Sequence, residues 1–169
     1  MKKIIFSAAC LMGGLVLHAQ DVDFGVTAGY INADGKVKGG GITVSASESG
    51  FYIGAVADFT ITEEFHIQPE AVYASIEDGD GILVPIMAKY YVADKLNLQA
   101  GPQFVFSLED TPEDISSVQV GLGGGLGFDI TDNFFVEARY AFQLTNSYTG
   151  SEDITLRANY LNIGVGYTF

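Results

Sequence analysis

The residues with the most chemistry to offer are charged side chains set at even spacing inside otherwise apolar segments. Glu137 and Arg139 lie two apart, in Phe134-Phe135-Val136-Glu137-Ala138-Arg139-Tyr140. On a strand, residues two apart share a face, so both point the same way. Glu70 and Lys89 hold the corresponding parity in their own segments, as do Gln68, Gln99 and Gln103. Buried charges must be paired and hydrogen-bonded. Glu70, Lys89, Glu137 and Arg139 supply two charges of each sign, which suits an ion-paired, plugged polar core. A narrow proton or ion path is the other reading. Counting back from the turn at Thr131–Asn133 puts Arg139 opposite Gly125 and Glu137 opposite Gly127, and glycine leaves volume for long side chains. The same counting expects Gly54 to face Glu70, and Arg139 to reach across toward Glu70.

Catalytic chemistry finds less support. His18 lies in an N-terminal leader, which leaves His66 as the one candidate base, with Asp58 as its expected inward neighbour. That is a buried pair rather than a nucleophile–base–acid triad. No nucleophile-elbow motif is present, and no His/Cys cluster has zinc-ligand spacing. The sequence therefore assigns no catalytic, cofactor-binding or metal-binding residue and implies no cofactor.

The elements that must position these charges are eight alternating segments: 22–30, 51–59, 65–73, 82–91, 96–106, 118–129, 134–144 and 160–169. In each, one parity is apolar, as in Phe24, Val26, Ala28 and Tyr30, or Phe51, Ile53, Ala55, Ala57 and Phe59. The other parity carries glycine, polar and charged residues. Period-two alternation of this kind reads as strands. The expected fold is all-β: an eight-stranded antiparallel up-and-down transmembrane barrel, apolar toward lipid and polar inside. The last segment, Leu161 to Phe169, ends on an aromatic residue as outer-membrane barrels do. Met1-Lys2-Lys3, the apolar run Ile4–Leu17 and Leu17-His18-Ala19 form a secretory leader, too short to span. The domain reading is a signal peptide over 1–19 and a barrel over 20–169. The lone Cys10 leaves with the leader, so disulfide chemistry is not expected.

The connections alternate in length. Thr60–Glu64, Ala93–Lys95 and Thr131–Asn133 are tight; Asn32–Gly50, Ser75–Asp80, Glu109–Ser117 and Thr145–Ile154 are mostly longer. Short turns toward the periplasm and longer loops outside are the outer-membrane asymmetry. Gly39-Gly40-Gly41 before Ile42–Ala46 allows the first loop to be a β-ribbon. Phe24, Phe59, Phe65, Tyr90, Phe128, Phe134, Tyr167 and Phe169 then fall at the periplasmic interface, and Tyr30, Phe51, Tyr73, Phe106 and Phe142 at the outer one. Such girdles are expected at both interfaces. Eight Lys+Arg stand against 21 Asp+Glu, and without Lys2 and Lys3 the balance is 6 against 21, a net charge of −15. That argues against nucleic acid as a partner. The acidic residues gather in the connections as solvated loops, with divalent-cation bridging to lipopolysaccharide phosphates or a weak Ca²⁺ site as the sharper reading, although no loop has regular calcium-ligand spacing.

Several stretches resemble the Bacteroidota outer-membrane barrel family called PorT-like or porin-like, of the small eight-stranded type. They are Gln68-Pro69-Glu70-Ala71-Val72-Tyr73, Val84-Pro85-Ile86-Met87-Ala88-Lys89-Tyr90-Tyr91, Leu98–Gln103, Gly123–Ile130, Phe135–Tyr140 and Gly166-Tyr167-Thr168-Phe169. The usual basic loop after the Pro-Glu motif is replaced here by Glu77-Asp78-Gly79-Asp80. The resemblance implies an integral outer-membrane protein among lipid and lipopolysaccharide. It also implies that Tyr167 and Phe169 are read by the barrel-assembly machinery. The expected role is non-enzymatic, in envelope integrity or in contact with a surface or envelope protein. A low-conductance porin-like channel and an accessory part of a secretion system are the alternatives.

Overall fold

The computed structural model describes residues 21–77 and 79–169. The leader reading over 1–19 and Asp78 lie outside the described residues. Eight strands follow one another: β1 (Asp21–Gly39), β2 (Ile42–Thr60), β3 (Phe65–Ile76), β4 (Gly79–Ala93), β5 (Leu96–Ser107), β6 (Val118–Asp129), β7 (Phe134–Gln143) and β8 (Ile154–Thr168). Each pairs antiparallel with the next, and β1 pairs with β8, so the sheet closes into a barrel with up-and-down connections.

The outward parity is apolar and open to the surroundings. Phe24, Val26, Phe51, Ile53, Leu98, Leu122, Leu126, Phe128, Phe142, Ile163 and Val165 are all exposed, Phe51 at 75%. The inward parity is mostly buried. A soluble sheet would invert this, so the barrel is built for an apolar surround. Two residues depart from the pattern. Phe59 shares the outward parity but is only 4% exposed, flanked in register by Val22 and Ile67. Pro69 is likewise buried.

Two of the three short turns repeat one device. In Ile61-Thr62-Glu63-Glu64-Phe65 the Thr62 hydroxyl accepts from the Phe65 amide at 3.1 Å. In Ile130-Thr131-Asp132-Asn133-Phe134 the Thr131 hydroxyl accepts from the Phe134 amide at 3.0 Å. Threonine is suited to this because its hydroxyl satisfies backbone donors that a tight turn leaves over. Below them the aromatic rings interlock: Phe134 meets Tyr167 edge-on at 4.8 Å, and Tyr167 meets Phe169 at 5.7 Å. The Phe169 amide donates to the Phe24 carbonyl at 2.8 Å.

The other end departs from the sequence expectation. Asn32–Gly50 is no open loop: β1 and β2 continue in register to Gly39↔Ile42, and β8 follows β1 up to Gly39↔Ile154. Gly40 and Gly41 make the turn, with φ of 56° and 79°. That left-handed geometry at both central residues matches the twist of the flanking strands and favours glycine. The barrel wall therefore rises on one side into a three-stranded crown. Gly54 lies opposite Val72, and Glu70 opposite Val56, which corrects the expected Gly54–Glu70 facing by one step of the inward parity.

The barrel predicts heat-modifiable migration on unboiled gels and a β-type circular dichroism spectrum in detergent. A helical spectrum, or a monomer soluble without detergent, would overturn it.

Candidate functional site

Two regions hold chemistry: the lumen and the crown. The lumen is filled in three layers. The middle layer is ionic. Arg139 Nη1 stands 2.7 Å from Glu70 Oε1, Nη2 donates to Glu70 Oε2 at 3.0 Å, and Nη2 also bonds Glu137 Oε2. The Gln68 amide donates to Glu70 at 2.7 Å and Glu137 at 2.9 Å, and Gln99 donates to Glu137 at 3.0 Å. Lys89 does not join the glutamates. Its Nζ donates to Asp58 at 2.7 Å and to the Gln68 side-chain oxygen at 2.8 Å. His66 Nδ1 meets the other Asp58 oxygen at 2.7 Å. One continuous chain thus runs His66–Asp58–Lys89–Gln68–Glu70/Glu137–Arg139, with Asp58 and Gln68 as members that the four-charge reading left out.

Glycines on the wall make room for these side chains. A Cβ at Gly125 would meet the Arg139 side chain, and one at Gly127 would fall on the Asn97 and Gln99 amides. Gly125 and Gly127 lie in register with Arg139 and Glu137. Further around, a Cβ at Gly164 would strike the Tyr52 hydroxyl, and one at Gly166 the Phe135 ring. The lumen is narrow enough that one strand must lack side chains where the facing strand fills the bore.

Below the ionic layer lies an aromatic floor. Lys89 Nζ sits 5.6 Å from the Phe135 ring centre and 5.7 Å from that of Tyr91, within cation–π range. The His66 and Tyr91 rings meet at a tilt, 4.9 Å between centres. Above it lies an apolar ceiling: Ile31, Tyr52, Val72, Ala74, Leu83, Val105, Ala141 and Tyr160 form one buried cluster, with Ile31 fully buried. The Tyr160 hydroxyl donates to Gln119 at 2.9 Å, and Gln143 donates to Ser147 at 2.7 Å, which caps the cluster with amides. A cavity of about 10 Å³ remains there, lined by Gln103, Gln119, Gln143 and Tyr160 among others, room for about one water. The ionic layer and the upper amides are therefore separated by an apolar band, which the sequence reading of a plugged polar core did not include.

In the crown the polarity of the two faces reverses. On β1 the outward parity runs Val26, Ala28, Tyr30 and then Asn32, Asp34, Lys36, Lys38; the inward parity runs Thr27, Gly29 and then Ile31, Ala33, Gly35, Val37. On β2 the outward Thr43, Ser45, Ser47 and Ser49 give way to Phe51 and Ile53, and on β8 the outward Thr155, Arg157 and Asn159 give way to Leu161 and Ile163. All three switches fall at one level, because Tyr30 is in register with both Phe51 and Ile163. A strand keeps its apolar parity toward lipid while in hydrocarbon and turns its polar parity outward once in water. This reversal was legible as a change of parity along Tyr30–Lys38 but reads as a loop when only apolar-out segments are sought. Val37, Ile42, Val44 and Ile154 line an open concavity of about 450 Å³ at the tip, rimmed by Glu152 and Asp153. Beside the crown, the Tyr73 hydroxyl donates to Asp80 at 2.6 Å and holds its carboxyl below the usual range. Among the described residues no three acidic, His or Cys side chains come together as a metal site.

The architecture is that of eight-stranded outer-membrane β-barrels. Residues 80–149 match the family model described as an outer membrane protein beta-barrel domain. Two solved structures are similar at full length. One is Ail, the attachment invasion locus protein of Yersinia pestis, crystallised with the heparin analogue sucrose octasulfate. It is 17% identical with a TM-score of 0.51, over 89% of this chain and 100% of that one. The other is Neisserial surface protein A, 18% identical with a TM-score of 0.51, over 89% and 100%. At these identities the likeness is one of fold. No curated protein matches the chain.

The ionic layer generates a prediction. Arg139→Leu leaves Glu70 and Glu137 without their cation, at a cost of about 3–5 kcal/mol, and lowers the unfolding midpoint in urea. Adding Glu70→Gln recovers part of the loss. Strict additivity in the double-mutant cycle would show that the pair does not interact.

Proposed function

We propose that the chain is an integral outer-membrane protein whose closed barrel neither catalyses nor conducts, and which serves envelope integrity or surface interaction through the part that rises above the membrane. One observation carries this reading: above the ionic layer the lumen is filled by the buried apolar cluster from Ile31 to Tyr160, with Ile31 fully buried. A charged layer capped by an apolar one offers no continuous polar path, and an ion crossing the ceiling would shed its hydration without replacement. This argues against the low-conductance porin-like alternative. It also makes a proton path through Arg139 a dead end. Among the described residues no arrangement within the barrel favours a part in a secretion system.

In planar bilayers the unmodified barrel gives no resolved conductance steps. Arg139→Ala alone stays silent, because the ceiling is intact; combined with Leu83→Ala and Tyr52→Ala it leaks ions. Steady conductance in the unmodified protein would restore the channel reading.

The last strand serves assembly in the same proposal. Tyr167 and Phe169 stand on the outward face at the barrel's lower rim, where the barrel-assembly machinery would meet them, and Phe169 is largely exposed. Losing its ring costs the folded barrel little packing. Phe169→Ser therefore lowers outer-membrane abundance and raises periplasmic degradation while leaving the urea midpoint of refolded protein nearly unchanged. Unaltered abundance in the native host would contradict this role.

A further inference from the structure

Six basic residues follow the leader in a chain with 21 acidic ones, and their placement is uneven. Lys89 and Arg139 are buried in the lumen. Lys95 sits in the turn between β4 and β5, its Nζ donating to the Ile130 carbonyl at 3.2 Å. The remaining three, Lys36, Lys38 and Arg157, lie together on the outward face of the crown. Lys36 is directly opposite Arg157 across the β1–β8 ladder, and Lys38 is two residues on, opposite Thr155. On the β2 side Lys36 faces Ser45 and Lys38 faces Thr43. Among the groups of these strands that share the face, Asp34 alone is acidic, and it holds Lys36 at 3.3 Å. Lys38 and Arg157 have no ion-pair partner among the described residues.

Like charges directly opposite on neighbouring strands repel. A chain this acidic has carboxylates to spare for neutralising Arg157, yet its loops leave it bare. The hydroxyls of Thr43, Ser45 and Thr155 surround the cations with neutral donors. Arginine and lysine beside hydroxyls recognise oxyanions, phosphate above all. The face points sideways, along the parity that carries Val26 and Tyr30 in the membrane part of β1. It stands about 15 Å above Tyr30, from six residues at a rise of about 3.3 Å and a tilt of about 40°. What lies beside the barrel at that height is the head-group layer of the outer leaflet, not a ligand arriving from above.

We infer that Lys36, Lys38 and Arg157 form an anion-binding site for the phosphate-bearing head-group sugars of the surrounding outer-leaflet glycolipid. The contact is direct and needs no bridging divalent cation, unlike the one expected of the acidic loops. The inference rests on the outer-membrane reading with the crown outside.

The test uses the folded barrel in phosphatidylcholine nanodiscs, with deacylated lipopolysaccharide as a soluble probe and the same oligosaccharide after dephosphorylation. The phosphorylated probe binds in the presence of chelator and weakens as salt rises. The combined variant Lys36→Gln, Lys38→Gln, Arg157→Gln loses binding by about tenfold or more, whereas Lys95→Gln at the opposite rim does not. Equal binding by the combined variant, or equal binding of the dephosphorylated probe, would overturn the inference. A separate arm checks the premise: Ala46→Cys in the crown is labelled on intact cells by a membrane-impermeant maleimide. Failure to label a protein found in the outer-membrane fraction refutes the orientation. Labelling together with undiminished binding by the combined variant refutes the anion site alone.

Discussion

Closure of β1 on β8 is the constraint on which the rest depends. In hydrocarbon no water is present to satisfy a backbone N–H or C=O, so an open sheet edge cannot stand in the membrane. The ladder from Gly25↔Thr168 to Gly39↔Ile154 removes both edges at once. Once the sheet is a closed cylinder, each strand has one parity toward lipid and one toward the bore. Every later feature, including the exposed Phe51 and the buried Arg139, follows from which parity a residue occupies.

The bore of an eight-stranded barrel is about wide enough to be filled by side chains, and here it is filled in layers. Three carboxylates, Asp58, Glu70 and Glu137, meet Lys89 and Arg139, with His66 against Asp58. Buried pairs of this kind add little net stability against an apolar filling, but removing one partner is costly. Their arrangement depends on wall glycines as much as on the charges: Gly125 and Gly127 recede where Arg139, Asn97 and Gln99 enter the bore. The apolar ceiling then divides the lumen. Ile31, Leu83 and Val105 interrupt the polar groups along its depth.

The crown extends the same three strands into water by exchanging the roles of their faces. Asn32, Lys36 and Arg157 replace lipid-facing apolar residues on the outside, while Ala33 and Ala158 pack onto the ceiling from within. The common level of the three reversals marks where the wall leaves the hydrocarbon. Two consequences follow from one sheet: the ceiling gains apolar support from above, and the basic residues outside the lumen and lower rim are gathered on a single lateral face.

Alternation is a local property, so the sequence alone determined the strand centres, the common face of Glu137 and Arg139, the parity that Glu70 and Lys89 hold in their own strands, and the pairing of Arg139 with Gly125. Residues two apart share a face whatever the rest of the chain does. The tertiary structure decided the rest. Lys89 chose Asp58 over the glutamates because contacts across the bore depend on the stagger of all eight strands. The apolar ceiling emerged only when inward residues from seven strands met. The crown stayed hidden because its polar outward residues look like a loop until the partner strand shows them in register. And only the closed wall tells which parity faces outward: the same alternation would serve a soluble sheet turned inside out.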